Sequence, residues 1–161
     1  MKDFIEIGIL QQRKIEAAII KPIYDIMKRD LGIEKAQAII GEAIASAAIE
    51  AGQTFAAQTD TPATLTSFVD LQPLWLKGNA LNIEVTAQST AEYRFTVTRC
   101  RYAEMYHEMG LGEIGFLLSC NRDSQFIEGY APDITLKRPN TIMEGHSSCE
   151  FHYQAPPNTA K

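Results

Sequence analysis

Cysteine is scarce in this chain, and basic runs, long apolar stretches and repeats are missing. The three cysteines among 161 residues, Cys100, Cys120 and Cys149, are odd in number and low in density. They give no disulfide framework, and a reducing cytoplasm is the expected compartment. Net charge is −5, and no basic cluster exceeds a residue or two. That speaks against nucleic-acid binding, which needs a positive face. No apolar run reaches the ~18 residues that cross a bilayer, so no membrane partner is expected. The first residues, MKDFIEIGILQQRK, carry acids and lack a small-residue cleavage site, unlike a signal peptide.

What is present suits one globular domain. The hydrophobic share is 45% and the charged share 22%, both ordinary for a soluble fold. A chain of this length buries roughly two thirds of its unfolded surface, enough for a core without staples.

Residues 3–29 have helical periodicity, with Ile5, Ile9, Ile15, Ile19 and Ile26 in threes, fours and sixes. Pro22 is expected to kink or divide this segment. A second helix is expected over 34–57. Its row of Ala36, Ile40, Ala43, Ala47 and Ala51 is small enough for another helix to approach closely. Thr61 and Pro62 read as the N-cap and first turn of a third helix, with Leu65, Phe68 and Val69 inward and Pro73 closing it. The period then changes to two. Leu81, Ile83, Val85 and Ala87 alternate with polar residues, as do Tyr93, Phe95 and Val97, and 88–91 reads as the turn of a hairpin. A short helix, RYAEMYHEMG, is stopped by Gly110. Another helix follows over 112–128. Residues 133–138 and 147–153 alternate as strands. The expected architecture is α+β in a single domain over 1–161: helices in 1–77 packed on a small, mostly antiparallel sheet within 78–154, with a frayed tail at 155–161.

Side-chain direction selects the candidate chemistry. Counting from Phe116, the inward face of the 112–128 helix takes in Cys120, Asp123 and Ile127. Ile134, Leu136 and Arg138 share one face of their strand, and Cys149, Phe151 and Tyr153 share one face of theirs. An isolated buried charge is very costly, so Asp123 must pair, neutralise or bind something, and Arg138 is the natural partner. One reading is a structural ion pair with the cysteines as small core residues. A second is a polar pocket with a thiol nucleophile, a carboxylate acid/base and a guanidinium for an anionic substrate. A third, zinc, wants four Cys or His ligands at short local spacings, and the sequence has no CxxC or HxxxH. His107, His146 and His152 read as turn or solvent-facing residues. Cys100 ends a strand and reads as packing.

The stretch RCRYAEMYHEMGLGEIGFLLSCNRDSQFIEGYAPDITLKRPNTIMEGHSSCEFHY resembles the L-2-amino-thiazoline-4-carboxylic acid hydrolase family. The matching features are Cys100 at a strand end, Cys120 with Asp123, Arg138 with Thr141, Gly145, and Cys149-Glu150-Phe151. Trp75 and the segment from Arg13 through KPIYDIMKRDLG to the Ala-rich helix fit as well. The chain departs from the family pattern at Pro139, Glu150 and His152. The resemblance implies a hydrolase that opens a small cyclic carbon–nitrogen bond, as in 2-aminothiazoline carboxylate or a related cyclic amidine, amide or imide. It implies Cys120, Asp123 and Cys149 as catalytic residues, and Arg138, Thr141, Tyr102 and Tyr106 as substrate-binding ones. Arg138 would grip a substrate carboxylate. No cofactor and no metal are expected. The layout is also similar to 4-vinyl-reductase-type ligand-binding domains. Aligned on Cys149, the Glu and Cys of the zinc site in those domains fall at Arg138 and Thr141, poor zinc ligands. The expected partners are a small-molecule substrate and a second copy, a homodimer made through the Ala-rich helix. The alternative function is a module that holds a small acid without changing it.

Overall fold

The computed structural model describes residues 7–157. The segment at 3–29 forms one helix, α1 (Ile9–Leu31), which continues through Pro22. Pro22 and Ala18, whose carbonyl loses its helical partner there, both lie on the exposed side, where water can satisfy the freed group. Ile15, Ile19 and Ile26 are exposed too, Ile19 at 64%, while Ala17 and Tyr24 face the core. Ile5 lies outside the described residues.

Helix α2 (Ile33–Ala56) buries Ala36, Ile40, Ile44, Ala48 and Gly52. Its inward row follows that four-residue step, so Ala43 and Ala47 of the expected row stand outside. The third helix is shorter than expected. Thr64, not Thr61, caps α3 (Leu65–Val69), its hydroxyl accepting from the Ser67 amide in a capping box. Leu65 and Phe68 are buried, and Val69 only partly. Pro73 sits in the first turn of α4 (Gln72–Leu76) rather than closing α3, because proline needs no amide partner in a first turn.

The hairpin forms as its alternation implies. β1 (Leu81–Gln88) pairs antiparallel with β2 (Glu92–Cys100), and the sheet order is β1-β2-β4-β3. β2 leads straight into α5 (Arg101–Glu108). Gly110, at φ 73°, makes the left-handed turn that ends α5. The expected 112–128 helix is three pieces: a 3₁₀ turn at Gly112–Ile114, a π-helical turn at Phe116–Cys120, and α6 (Asn121–Tyr130). β3 (Thr135–Lys137) and β4 (Cys149–Gln154) pair antiparallel, and β4 completes the sheet against β2. Helices packed on a four-stranded antiparallel sheet give an α+β fold. Among the described residues, no helix is long and apolar enough to cross a membrane.

Two apolar clusters fill the interior. One joins α1, α2 and α5 around Tyr24, Tyr106 and Leu118. The other joins the sheet, α3 and α6 around Phe68, Phe95, Phe126 and Tyr153. Leu81, Cys100 and Ile142 touch both.

The Ala-rich helix achieves its close approach within the chain. A Cβ on Gly129 of α6 would stand 2.1 Å from the Ile49 carbonyl oxygen, and one on Gly52 would stand 2.2 Å from that of Phe126. Neither neighbour is a flexible side chain, so the two helices must part to admit a methyl group. Gly129→Ala and Gly52→Ala should each destabilise the fold by about 1–3 kcal/mol, the usual cost of overpacking. Chemical denaturation reads this directly, and unchanged midpoints would contradict the close helix contact.

Candidate active site

Where the two clusters meet, a cavity of about 90 Å³ opens, room for several waters or a small ring. Cys120, Asp123, Arg138 and Cys149 all line it, together with Cys100, Tyr102, Thr141 and Tyr153. Tyr106 is buried beside α1 and is not part of the lining. Ile127 likewise packs in the sheet cluster.

Asp123 and Arg138 form the expected pair. An Arg138 Nη donates to the Asp123 carboxylate, and only 8% of the Arg138 side-chain surface is accessible, against 26% for Asp123. The guanidinium lies against two rings, 5.2 Å from the centroid of Phe151 and 5.7 Å from that of Phe116. These contacts replace part of the hydration that a buried cation gives up. Arg138 Nε is buried with no hydrogen-bond partner. Burial pushes the Asp123 carboxyl up to about 6, and the Arg138 charge opposes that rise only in part.

The thiols differ from one another. Cys100 caps α5, its Sγ accepting from the Ala103 amide at 3.4 Å. Cys149 Sγ accepts from the Ile142 amide at 3.1 Å. Cys120 has no hydrogen-bond partner among the described residues. Burial raises all three above the ordinary thiol value: Cys100 to about 11, and Cys120 further, with the Asp123 charge adding to the effect. They therefore stay protonated near neutrality.

Two other expected contacts are already engaged. The Thr141 hydroxyl donates to a Glu144 carboxylate oxygen at 2.7 Å and accepts from the Glu144 amide at 3.2 Å. The Tyr102 hydroxyl donates to the Trp75 carbonyl at 3.1 Å. Among the histidines, His152 meets Glu92 at 3.2 Å, and His107 packs over Gly112. No group of three or more His, Cys, Asp or Glu among the described residues is arranged to hold a metal ion.

Several lining residues were not candidates from sequence: Arg13, Gln72, Ser119, Arg122 and Phe126. Ser119, Arg122 and Phe126 share a helical face, but the π turn ahead of α6 displaces that face from the one counted from Phe116. A count started at Asn121, inside α6, brings Arg122 beside Asp123 and Phe126. A larger vestibule, about 680 Å³, lies between α1, α2 and α6. Ile9, Arg13, Ala51, Trp75, Arg122 and Phe126 border both spaces.

The model of the L-2-amino-thiazoline-4-carboxylic acid hydrolase family matches residues 12–153. No curated protein matches the chain in sequence. Several solved structures share its fold, two of them at 10% identity. One is the phenol-responsive sensory domain of the transcription activator PoxR with phenol, at 10% identity and TM-score 0.53, covering 86% of this chain and 73% of that one. The other is a trafficking protein particle complex subunit 3 from Naegleria fowleri covalently bound to palmitic acid, also at 10% and 0.53, covering 93% and 98%.

Arg138→Met would leave the Asp123 carboxylate buried without its cation. The expected loss is about 3–5 kcal/mol of stability at neutral pH. Without that cation the Asp123 carboxyl titrates higher still than in the wild type, so its protonation at pH 5 should relieve much of that loss. Denaturation at pH 5 and pH 8 checks both the size and the direction, and a variant equally stable at both would contradict the pairing.

Proposed function

The chain belongs to the L-2-amino-thiazoline-4-carboxylic acid hydrolase family, and from that premise we propose that it hydrolyses a small cyclic amidine bearing a carboxylate, with Asp123 as general base. One observation carries the reading: Asp123, Cys120 and Arg138 border the same small cavity, and the carboxyl ionises near 6. A base of that strength is half-charged just below neutrality and suits proton transfer at physiological pH.

In the proposed reaction, Asp123 takes a proton from water as the water oxygen bonds to the amidine carbon. The C=N electron pair moves to nitrogen, which takes that proton from Asp123. The tetrahedral intermediate then collapses: its hydroxyl returns a proton to Asp123 as the C=O forms, and Asp123 passes that proton to the departing ring atom. For a 2-aminothiazoline giving an N-carbamoyl amino acid, the ring C–S bond breaks and sulfur leaves as a thiol. In a cyclic amidine the same sequence breaks a C–N bond. Attack by water, rather than by Cys120, is favoured because burial and the neighbouring carboxylate keep that thiol protonated. Cys120, whose S–H is free of other bonds, donates toward the attacking water. Arg138 holds Asp123 in place and offers its unpartnered Nε to the substrate. Cys149, Thr141 and Tyr102 shape the walls, and Tyr106 supports Tyr102 from behind through the core. The setting proposed is a reducing cytoplasm, where three free thiols persist.

A second reading, a module that holds a small acid unchanged, is supported by the fold likeness to a phenol-responsive sensory domain. Mass spectrometry of 2-aminothiazoline-4-carboxylate incubated with the protein separates the two readings, since only hydrolysis adds the mass of water. If the hydrolase reading holds, kcat/KM rises with pH through about 6 and levels off, because the base works ionised. Asp123→Asn should then lose roughly 10²–10⁴-fold in kcat, and normal turnover by that variant would rule out the mechanism.

The partner proposed beyond substrate is a second copy. The Ala-rich helix meets α6 through Ile49 and Gly52 while Ala43 and Ala47 stay exposed, and α1 also keeps Ile15, Ile19 and Ile26 exposed. Two α1 helices packed antiparallel would bring Ile15 of each against Ile26 of the other, an arrangement that closes on itself. Light scattering should show a dimer that Ile19→Glu converts to monomer. A wild-type monomer at micromolar concentration would dismiss this partner.

A further inference from the structure

The carboxylate of such a substrate needs a cation, and the Arg138 charge is already shared with Asp123, leaving its buried Nε without a partner. The border between vestibule and cavity supplies others. Arg13, from α1, donates through one Nη to both Glu16 carboxylate oxygens, at 2.8 and 2.9 Å. Arg122, from α6, donates through the other end of its fork to Glu16 Oε2 at 3.1 Å, while its Nε is anchored on the Leu118 carbonyl at 2.7 Å. Two guanidiniums thus share one carboxylate. Both are well covered, with 16% and 15% of their side-chain surface accessible.

The charges bordering the inner cavity are unequal. Three guanidiniums, Arg13, Arg122 and Arg138, face it, against one carboxylate, Asp123. Glu16 and Glu50 border only the vestibule. A small, mostly apolar cavity with surplus positive charge at its border concentrates anions. Burial and the Arg13 charge push Arg122 down to about 10, so its cation lacks full compensation.

We infer that Arg13 and Arg122 form the carboxylate-binding gate of the site, where they hold the substrate's carboxylate at the neck while its ring reaches Asp123 in the cavity. Glu16 occupies part of both guanidinium forks and gives up one to the arriving carboxylate. Planar guanidinium forks match a carboxylate in two-point contact, which an ammonium at the same place would not reproduce. The gate therefore selects small ring acids over their neutral esters. This inference deepens the hydrolase reading and rests on it for the choice of ring, but an anion gate would serve the small-acid module equally.

Calorimetric binding of 2-aminothiazoline-4-carboxylate and of its methyl ester tests the gate. Wild type and Asp123→Asn should both bind the acid at least tenfold more tightly than the ester. Arg13→Gln and Arg122→Gln should each lose that preference, chiefly by weakening the acid, with the ester little changed. Arg122 also anchors a helix carbonyl, so if Arg122→Gln fails to fold, Arg13→Gln carries the test, with Arg13→Lys expected to keep part of the preference. Equal binding of acid and ester by wild type, no binding of the acid, or full preference in Arg13→Gln would each overturn the gate. Preference for the acid without any ring opening would overturn the hydrolase reading and leave the gate standing.

Discussion

The ion pair between Asp123 and Arg138 sets the terms for the rest of the site. Neither charge tolerates an apolar interior alone, so folding must bring the first turn of α6 to the residue that follows β3. Phe116 and Phe151 then pack against the guanidinium. Once these contacts exist, the helix and the sheet edge cannot slide past each other without exposing a buried charge to a wall of carbon. Pairing is incomplete as a substitute for water, and the carboxyl titrates far above its usual range as a result. The same desolvation that costs stability makes Asp123 a base of useful strength.

The cavity exists because two cores abut without merging. The helical cluster and the sheet cluster share only a few partly buried residues, Cys100 among them. At this seam α2 and α6 approach closely through Gly52 and Gly129. The polar groups of the site face the space left beyond that contact. Cysteines suit such a seam, being small and apolar enough to pack. Two of the three also serve as acceptors for backbone amides. High thiol pKa values follow from that packing.

Much of this was legible in advance where one local pattern dominated. The β1–β2 hairpin follows its two-residue alternation, and Cys149, Phe151 and Tyr153 face inward together as their strand implies. Cys120, Asp123 and Arg138 converge because burial of a charge demanded it. Other features were hidden by local departures from regular geometry. The π turn at Phe116–Cys120 changes the angle per residue, and the face counted from Phe116 takes in Cys120, Asp123 and the buried Ile127 but leaves out Arg122. The isoleucines of α1 show how periodicity marks a stripe without saying which way it points. There the small Ala17 and the amphipathic Tyr24 go inside.

By itself, then, the sequence determined the α+β class, the strands, the hairpin and the need for Asp123 to find a cation, because each depends on side-chain type at short range or on the cost of an unpaired charge. Only the tertiary structure decided that Arg13, five helices earlier in the chain, stands beside Arg122, that the two share Glu16, and that a cavity lies behind them. Those relations join residues more than a hundred positions apart. No local period encodes them. They arise from how helices of given surface shape seat against one another, down to the methyl group that Gly129 lacks.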